Sequence, residues 1–481
     1  MSCREQNFTR ILLLRMGAMV CEKTDHPRHC SPPFALKYIQ ALLNKTGRYV
    51  VKLIDGMVEP LPLERLSTVI LSSITEVLVI QTNALTVKLA FGYASLVKKN
   101  HNKIFIVMIC QDVIPHFEEY LSPNSPFDVV ILGDSEKESV SLIEELRRHK
   151  DIKEVKEYYR LRAGIPNLNI DLDSLPFPDY NKEEIEKYRF VYPLNMNKKV
   201  RWGHILSSRG CPYRCIFCSG ITRESYGEKV RLRSAANVVD EMEQLKRKGV
   251  NVISFDDDNF TTSKEHVEKI CLEIKRRNLN ISWICHARIN EVTLSLLKRM
   301  KEAGCRLLRF GIESGSVRII EALNKSEDGE DWIQRTKDVF KKARGVGILT
   351  DALFIIGSPT ETRENIVRSI KLARELNPDL IQVHFFTPYF GTEVYRRFKD
   401  RIEDKNLSKM YHYDLPLVNL SSVGLEELWN LRAYFYKSFL LNPKFLINHI
   451  IKHILFYLCN RWVFIKLFNA RKLLRRIKKG G

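Results

Sequence analysis

Short apolar runs alternate with longer stretches of helical period through the first 150 residues. Helices are predicted between the runs, for example over 34–47 and 85–100. This alternation indicates a parallel sheet covered on both faces, an open, doubly wound, Rossmann-like α/β domain. Ligands of such domains lie at the carboxyl ends of the strands. The predicted strands are RILLLR (10–15), YVVKLID (49–55), EVLVIQ (76–81), KIFIVMI (103–109) and DVVILG (128–133), and their ends read QTNAL (81–85), CQDVIPH (110–116) and GDSEKE (133–138).

The same alternation resumes after residue 201. Helices are again predicted between the runs, among them 235–249 and 291–304, the second ending on a glycine placed to cap it. Six βα units indicate a TIM-type barrel or a partial (β/α)6 barrel, with its active site at the C-terminal mouth of the strands. The predicted strands are WGHILSS (202–208), NVISFDD (251–257), ISWICHA (281–287), LLRFGIE (307–313), TDALFIIG (350–357) and IQVHFFTP (381–388).

The remaining segments complete a predicted domain organisation. A stretch with prolines, mixed charge and no sustained period follows the first domain and is interpreted as a linker that packs across two domains. The last eighty residues read as helical. We therefore expect a Rossmann-like domain over 1–155, a linker over 156–200, a barrel over 201–400 and a helical basic extension over 401–481.

Composition supports an ordinary globular protein of several domains. The chain has 481 residues, 44% of them hydrophobic and 28% charged. Eleven cysteines, most of them scattered singly, indicate a reducing compartment, so a cytoplasmic location is expected. The apolar stretch 11–20 is interrupted by Arg15 and reads as a buried strand rather than a signal peptide. No run reaches the length of about 18 apolar residues that a transmembrane helix requires.

The net charge of +20 is unevenly distributed. Residues 441–481 contain no Asp or Glu, and 471–481 carry six basic residues. Within 447–468, apolar residues fall on one helical face and basic residues on the other, which is typical of a helix lying in a membrane surface. A helix docked on the barrel with its basic side in solvent explains the pattern equally well. Nucleic acid is the third and least favoured partner.

Three cysteines follow the first barrel strand in the segment SSRGCPYRCIFCSG (207–220). Cys211, Cys215 and Cys218 are spaced C-x3-C-x2-C. A structural zinc site needs a fourth protein ligand, which this loop does not offer. A 4Fe–4S cluster uses one thiolate for each iron, so three thiolates leave one iron open to a small molecule. The spacing therefore predicts a cluster with an open iron at the barrel mouth.

This motif resembles the signature of the radical S-adenosylmethionine (radical SAM) superfamily. The resemblance extends over about 10–400 and fits the class with an N-terminal cobalamin (B12)-binding domain, including the anaerobic magnesium-protoporphyrin ester cyclase and hopanoid-modifying groups. It implies that S-adenosylmethionine chelates the open iron and is cleaved to a 5′-deoxyadenosyl radical after electron transfer from the cluster. The motifs that carry it are FDDDNF (255–260), CHARIN (285–290), FGIESGS (310–316), LNKS (323–326), FIIGSPTET (354–362) and TPYFGTE (387–393).

The resemblance also implies roles for single residues. Phe217 belongs to the cofactor-binding loop, and Asp257 and Asp258 stand where the family places polar groups for the methionine amino group. Arg288 is expected to meet the methionine carboxylate, and Glu313 the methionine head group or ribose. The alternatives are a turn acid for either aspartate and a rim ion pair for the arginine. Gly357 and Pro359 are expected to shape a turn near the adenine, and His384 and Tyr389 either face substrate or are structural. Cys271, Cys285 and Cys305 are expected in the core.

The first domain departs from the family's pattern for binding cobalamin. The D-x-H-x-x-G motif that supplies a histidine to cobalt is absent, and His26 and His116 have other spacings. The glycine pair common after the fourth strand is replaced by ICQD (109–112). The first domain therefore either binds cobalamin without a protein histidine or keeps the fold without the cofactor.

The resulting hypothesis is a radical SAM enzyme that is either a cobalamin-dependent methyltransferase or a catalyst of radical rearrangement or cyclisation. It would act on a small, membrane-derived or lipid-like substrate and take electrons from a donor such as a flavodoxin or ferredoxin, on the inner face of the membrane. One alternative is a methylthiotransferase acting on RNA or protein, although no second cysteine triad is present. Another is a non-enzymatic, metal-stabilised protein that binds membranes or nucleic acid.

Overall fold

The structure is a computed structural model that describes most of the chain. The described residues are 9–17, 30–59, 62, 65, 68–70, 75–110, 117–148, 152–162, 170–190, 192, 194, 199–218, 229–402 and 416–447. The predicted amphipathic helix over 447–468, the loop residues 111–116 and His26 lie outside these ranges, apart from Ile447. Within the described ranges, no helix has the length and apolar character needed to cross a membrane.

Five parallel strands form the first sheet, as the alternating pattern predicted. Their order is β2–β1–β3–β4–β5, so the chain reverses its winding direction between β1 and β3. The strands are β1 Thr9–Arg15, β2 Tyr49–Asp55, β3 Val77–Thr82, β4 Phe105–Cys110 and β5 Val129–Leu132. The helices are α1 Phe34–Thr46, α2 Val87–Asn100, α3 Phe117–Leu121, α4 Glu136–Arg148 and α5 Ile152–Arg162.

Side chains of β1 show why this sheet is covered on both faces. Ile11 and Leu13 pack with α1, α4 and α5, whereas Leu12 and Leu14 pack with α2 and α3. All four are at most 2% exposed, because both faces of a doubly wound sheet are buried. Helix α5 belongs to this packing and crosses the predicted boundary at residue 155.

The segment 170–190 packs on both halves of the protein. Ile170 and Leu172 cluster with Tyr38 of α1. Helix α6 (Lys182–Lys187) begins at a capping box formed by Asn181, which accepts a hydrogen bond from the Glu184 N–H at 2.9 Å. Its residue Ile185 belongs to the core of the second half.

Six parallel strands form the second sheet, in the order β6–β9–β10–β11–β12–β13. The order follows the chain, as in a barrel that stays open between its first and last strands. The strands are β6 Trp202–Ile205, β9 Val252–Phe255, β10 Ser282–Ala287, β11 Cys305–Glu313, β12 Leu349–Ile356 and β13 Leu380–Phe385. A short antiparallel pair, β7 (Ser208–Arg209) and β8 (Arg231–Leu232), lies between β6 and β9 in the chain. The helices are α7 Ala235–Arg247, α8 Lys264–Arg276, α9 Leu294–Glu302, α10 Val317–Ala322, α11 Gly329–Val346, α12 Arg363–Leu376, α13 Glu393–Phe398 and α14 Leu425–Leu440.

One helix differs from its predicted bounds for a local reason. The segment 291–304 becomes helical only at Leu294, because the Thr293 hydroxyl caps the helix by accepting a hydrogen bond from the Leu296 N–H at 3.2 Å. Gly304 follows the helix with φ +100°, and a Cβ at this position would lie 2.3 Å from the Ile281 carbonyl oxygen. The predicted terminal glycine is therefore required both by its backbone angle and by this close contact.

The barrel interior is layered. Its lower end is filled by the apolar cluster of Trp202, Val252, Ile284, Leu307 and Leu349. Above it the register places His286 beside Arg309 and Arg309 beside Asp351, so the next layer is polar. The apolar layer closes the bottom of the barrel and leaves the upper, carboxyl end for a site.

Candidate active site

A cleft with two lobes opens at the carboxyl ends of β9 to β13. The polar lobe has a volume of about 230 Å³ and the apolar lobe about 220 Å³. Both are lined by Phe217, Gly311, Glu313 and Leu353, so they are parts of one space. The strand-end motifs of the sequence predict a site at this mouth.

The three cysteines line the polar lobe together, as predicted from their spacing. Their loop follows β7 and is tied to the segment after α10, where the Ile216 N–H donates to the Leu323 carbonyl at 3.1 Å and the Asn324 side chain donates to the Arg214 carbonyl at 2.7 Å. Burial raises the pKa of the Cys211 thiol.

The arrangement of donors can be compared with what a metal requires. In the described part of the chain, no three His, Cys, Asp or Glu side chains converge closely enough to hold a single metal ion. A zinc ion needs such a compact tetrahedral set. The three thiols share one lobe, and a 4Fe–4S cluster would use one thiolate for each of three irons.

The two neighbouring aspartates after β9 have different environments. Asp257 is 2% exposed and accepts hydrogen bonds from the Ser207 N–H at 3.1 Å, from the Ser207 hydroxyl at 2.9 Å and from the Ser208 hydroxyl. It does not line the cleft, and burial raises its pKa to about 6. Asp258 lines the polar lobe, where burial and the negative charge of Asp257 raise its pKa to about 7. Asp257 thus holds the segment before the cysteine loop, and Asp258 faces the cleft.

Arg288, at the end of β10, lies in the polar lobe but is already well engaged. Its guanidinium carbon lies 3.6 Å from the centre of the Tyr213 ring and 5.0 Å from that of Trp332. It donates to the Cys215 sulfur at 3.7 Å and to the Lys325 carbonyl. This geometry directs the guanidinium at a cysteine as well as at the cleft, a contact that the sequence analysis did not anticipate.

Glu313 ends β11 at an irregularity of the sheet. The register with β12 shifts between Gly311 and Glu313, and Glu313 has φ +68°, a conformation that costs energy for a non-glycine residue. Its carboxylate is 2.8 Å from the Lys325 ammonium, and both side chains are largely buried. Such strain at the mouth of a barrel, on a residue that lines both lobes, is typical of a functional position.

Lys325 is one of the site residues that the sequence did not reveal. It lines the polar lobe and is 8% exposed, and its ammonium also lies 5.4 Å from the Trp332 ring centre. The sequence carries a signal for it, because Lys325 belongs to the motif LNKS (323–326). A buried lysine next to a carboxylate provides a fixed positive charge in the cleft.

The apolar lobe lies over β12 and β13. It is lined by Phe217, Ile355, Phe386, His384 and Tyr389. His384 and Tyr389, the two residues considered for substrate contact, therefore lie in the cleft. Aromatic and aliphatic walls with few polar groups suit a flat, weakly polar ring system.

Gly357 lies outside both lobes and shapes the turn after β12. It has φ +88°, and its N–H donates to the Glu361 carboxylate at 2.7 Å. The Ser358 N–H donates to the same oxygen at 3.0 Å. Burial raises the pKa of Glu361 to about 8. The expected turn is present, and a buried carboxyl group holds it.

The floor of the polar lobe is formed by a polar layer that the sequence did not suggest. His286 and Arg309 line the lobe, and the Arg309 guanidinium approaches the His286 ring nitrogen at 2.7 Å and Asp351 at 3.2 Å. Burial and the positive charge of Arg309 lower the pKa of His286 to about 3, so this imidazole is neutral.

The expected core cysteines Cys271, Cys285 and Cys305 are all buried in the barrel core.

Known proteins resemble the chain along most of its length. The family model of the radical SAM superfamily matches residues 205–391. An uncharacterized methyltransferase of Pyrococcus horikoshii, PH0819, is 31% identical over 431 residues, which cover 88% of this chain and 90% of the relative. The anaerobic magnesium-protoporphyrin IX monomethyl ester cyclase of Rubrivivax gelatinosus is 29% identical over 279 residues, 57% of this chain and 48% of the relative.

A solved structure shares the fold of both halves. It is the radical SAM methyltransferase TsrM from Kitasatospora setae with cobalamin and a [4Fe-4S] cluster bound, which aligns with a TM-score of 0.60 at 16% identity over 82% of this chain and 78% of that one. The predicted fold class, a Rossmann-like domain followed by a partial barrel, is confirmed.

The chain belongs to the radical SAM superfamily. The resemblance inferred from the cysteine motif and the strand-end motifs is thereby confirmed, and the protein is an enzyme of this superfamily, whose cofactors are a 4Fe–4S cluster and S-adenosylmethionine.

Proposed function

We propose that the protein is a cobalamin-dependent radical SAM methyltransferase acting on a small molecule. In this proposal residues 1–155 form the cobalamin domain, 201–400 the catalytic barrel, and 156–200 and 401–481 the linker and extension. The observation that carries it is that the cysteine-lined cleft and the ligand-binding edge of a doubly wound domain occur in one chain and meet through buried contacts. Methyltransferases among its relatives support the reaction class.

The two lobes fit the two ends of S-adenosylmethionine. Asp258 would take the methionine ammonium, and the Glu313–Lys325 pair offers one group for the ribose hydroxyls and one for the carboxylate. Arg288 adds positive charge beside the methionine carboxylate while donating to Cys215. The aromatic lobe, with Phe217 on one side, suits the adenine ring.

Cysteines 211, 215 and 218 would hold the 4Fe–4S cluster. When bound, the cluster supplies a single electron to the sulfonium of S-adenosylmethionine, and cobalamin, when bound, carries a methyl group. The protein side chains position these groups and exclude water. An external one-electron donor such as a flavodoxin or ferredoxin would reduce the cluster.

The carboxyl edge of the first sheet fits a ligand at the reversal between β1 and β3. Among the described residues, the Gln81 side-chain oxygen at the end of β3 and the Ser135 hydroxyl after β5 are buried and have no hydrogen-bond partner, so both are available to a ligand at this edge. The Thr82 and Thr86 hydroxyls are 2.9 Å apart at the start of α2. The described part of this edge carries no histidine, so cobalt would receive no histidine from it.

The same edge faces the barrel. Arg15 at the end of β1 bonds Asp55 at the end of β2 at 2.6 Å, and the Tyr188 hydroxyl donates to Asp55 at 2.9 Å. Cys30, after β1, is buried in the core of the barrel half. A cofactor at this edge therefore lies next to the barrel, as transfer of a methyl group between two cofactors requires.

Methyl transfer is tested with protein purified and reconstituted anaerobically in the presence of hydroxocobalamin. The proposal predicts that the protein binds cobalamin stoichiometrically. After the protein is reduced and incubated with S-adenosylmethionine labelled in its methyl group, mass spectrometry should detect labelled methylcobalamin. Protein that holds the cluster and cleaves S-adenosylmethionine but retains no cobalamin would refute methyl transfer through this cofactor and leave a plain radical conversion.

The extension supports peripheral attachment to an anionic membrane and a membrane-derived substrate. Leu441 and Ile447 are each 60% exposed and lead into a segment without acidic residues. Trp429 of α14 is 46% exposed and stacks on Phe385, which lines the apolar lobe, with the two ring centres 6.1 Å apart. An exposed apolar surface followed by basic residues is the pattern that binds anionic bilayers.

Co-sedimentation with phosphatidylglycerol vesicles tests this attachment. The intact chain should bind, and a variant with glutamine at the six basic residues of 471–481 should bind less. A matched variant with glutamine at the six exposed basic residues of α8 and α9 serves as control: Lys264, Lys269, Lys275, Arg276, Lys298 and Arg299. Equal binding of all three proteins would exclude attachment through the basic segment.

A further inference from the structure

The cysteine loop begins after β7 and ends before β8, two strands of two residues each that pair with each other. Arg209 of β7 lies directly opposite Arg231 of β8 in antiparallel register. The segment between these two residues contains Cys211, Cys215 and Cys218. We refer to Ser208–Arg209 and Arg231–Leu232 as the loop base.

Two arginines directly opposite each other in a strand pair repel and destabilise it. The compensating charges come from the first domain. Asp134, which follows β5, contacts the Arg209 guanidinium at 2.6 Å with one carboxylate oxygen and the Arg231 guanidinium with the other. Glu136, at the start of α4, contacts Arg209 at 2.6 Å and 3.3 Å.

Three of the four side chains in these contacts are shielded from solvent, and the Arg231 side chain is 18% exposed. Asp134 and Glu136 are 0% exposed and Arg209 is 3% exposed. Within the described residues, Asp134 and Glu136 supply two negative charges from the first domain against the two positive charges of Arg209 and Arg231. Because a buried charge without its partner is strongly destabilising, the loop base depends on the first domain.

The loop base is close to the cluster ligands in the chain and is held on its other side. Gly210, with φ +93°, is the single residue between Arg209 and Cys211. Ser207 and Ser208 bond to Asp257 of the barrel. The segment that enters the cysteine loop is therefore held between a carboxylate of the barrel and two carboxylates of the first domain.

We propose that Asp134 and Glu136 are positioning residues through which the first domain holds the cluster-binding loop of the barrel. Docking of the first domain neutralises the loop base, and the cluster is retained only in that arrangement. The inference rests on the proposed three-cysteine cluster. It links the two cofactor domains, so that the barrel keeps its cluster when the partner domain is in place.

Asp134→Asn removes the charge that bridges the two arginines and keeps the shape of the side chain. Loss of a residue that supports metal ligands typically weakens metal retention by about 10–100-fold. With reconstituted full-length protein, release of iron to a ferrous chelator should therefore be at least about tenfold faster than in wild type.

Glu241→Gln is the matched control. Glu241 is also a buried carboxylate, and it accepts a hydrogen bond from the Arg233 guanidinium at 2.5 Å. Arg233 is the residue directly after the loop base. Its pair lies within the barrel, so this variant should lose thermal stability but keep the wild-type rate of iron release. Equal release rates for wild type and Asp134→Asn, or equal acceleration in both variants, would overturn the proposal.

Asp134→Asn combined with Arg231→Gln separates charge compensation from general damage. Removing the opposed arginine removes the repulsion, so the double variant should regain most of the slow iron release. Faster release than in the single variant would contradict the inference. Hydrogen exchange of the iron-free protein gives a readout that does not need the cluster, because amides of 207–211 and 231–233 should exchange faster in Asp134→Asn. Absence of any iron–sulfur cluster in wild type would refute the proposed function instead.

Discussion

Gly311 offers the sharpest perturbation of the cleft. It lies two residues before Glu313 on β11 and lines both lobes. A Cβ placed on Gly311 would lie 2.4 Å from the Glu313 carboxylate oxygen and 3.0 Å from the Lys325 ammonium. Gly311→Ala therefore displaces the buried ion pair by adding a single methyl group and without changing a charge.

The size of the effect follows from these distances. Ordinary contact of a Cβ begins near 3.4 Å, so the carboxylate has to move by about 1 Å. A displacement of about 1 Å in a group that positions a reactant can lower the rate by roughly 100-fold. We expect Gly311→Ala to retain the cluster and its absorption while forming 5′-deoxyadenosine about 100-fold more slowly, with weaker binding of S-adenosylmethionine.

The assay is single-turnover formation of 5′-deoxyadenosine under anaerobic conditions, with iron content measured in parallel. Gly345→Ala is the control, because Gly345 lies in α11 and a Cβ there would meet nothing within 4 Å. This control should react at the wild-type rate. If Gly311→Ala also cleaves S-adenosylmethionine at the wild-type rate and binds it equally well, the Glu313–Lys325 pair does not contact it.

Three further predictions concern the surroundings of the cleft. Burial raises the pKa of Glu361 to about 8, so the folded protein keeps this proton between pH 5 and 8 while the unfolded chain releases it. The free energy of unfolding of the wild type should therefore fall as the pH rises over that interval, and this group contributes about 4 kcal/mol of the fall at most. Glu361→Gln should lack this contribution when urea denaturation is measured at each pH. Parallel pH profiles of the two proteins would contradict the raised pKa of Glu361. Arg288→Met removes a hydrogen bond to Cys215 and should lower the reduction potential of the cluster in an EPR-monitored titration, and an unchanged potential would exclude the bond. Trp283 is fully buried, and its indole N–H donates to the Ala303 carbonyl at 2.8 Å. Trp283→Ala should therefore lower the free energy of unfolding by about 3–5 kcal/mol. A change within the error of the denaturation curve would refute the place of Trp283 in the core.

Sequence patterns predicted the architecture because both halves are parallel sheets. Buried parallel strands are short apolar runs, and their carboxyl ends meet at one edge. The residues that follow the runs, such as Asp258, Arg288 and Glu313, therefore had to come together even though they are far apart in the chain. The three cysteines were found by spacing alone, since their loop is local.

What the sequence could not provide depends on contacts between distant elements. Asp257 and Asp258 are adjacent and chemically identical, and the hydrogen bonds that Ser207 and Ser208 donate to Asp257 distinguish the two. Lys325 enters the cleft because α10 ends beside the cysteine loop. Likewise, the partners of Arg209 lie in another domain, 73 and 75 residues away in the chain, where no periodicity connects them.

The most direct test of the account is cleavage of S-adenosylmethionine by anaerobically reconstituted protein under reducing conditions. The account predicts iron–sulfur absorption, a reduced-cluster EPR signal that changes when S-adenosylmethionine binds, and formation of 5′-deoxyadenosine, all of them lost in Cys215→Ala. Cys271→Ala, in the barrel core, should retain all three properties. Wild-type protein that binds zinc stably, shows no such EPR signal and leaves S-adenosylmethionine intact would contradict the account.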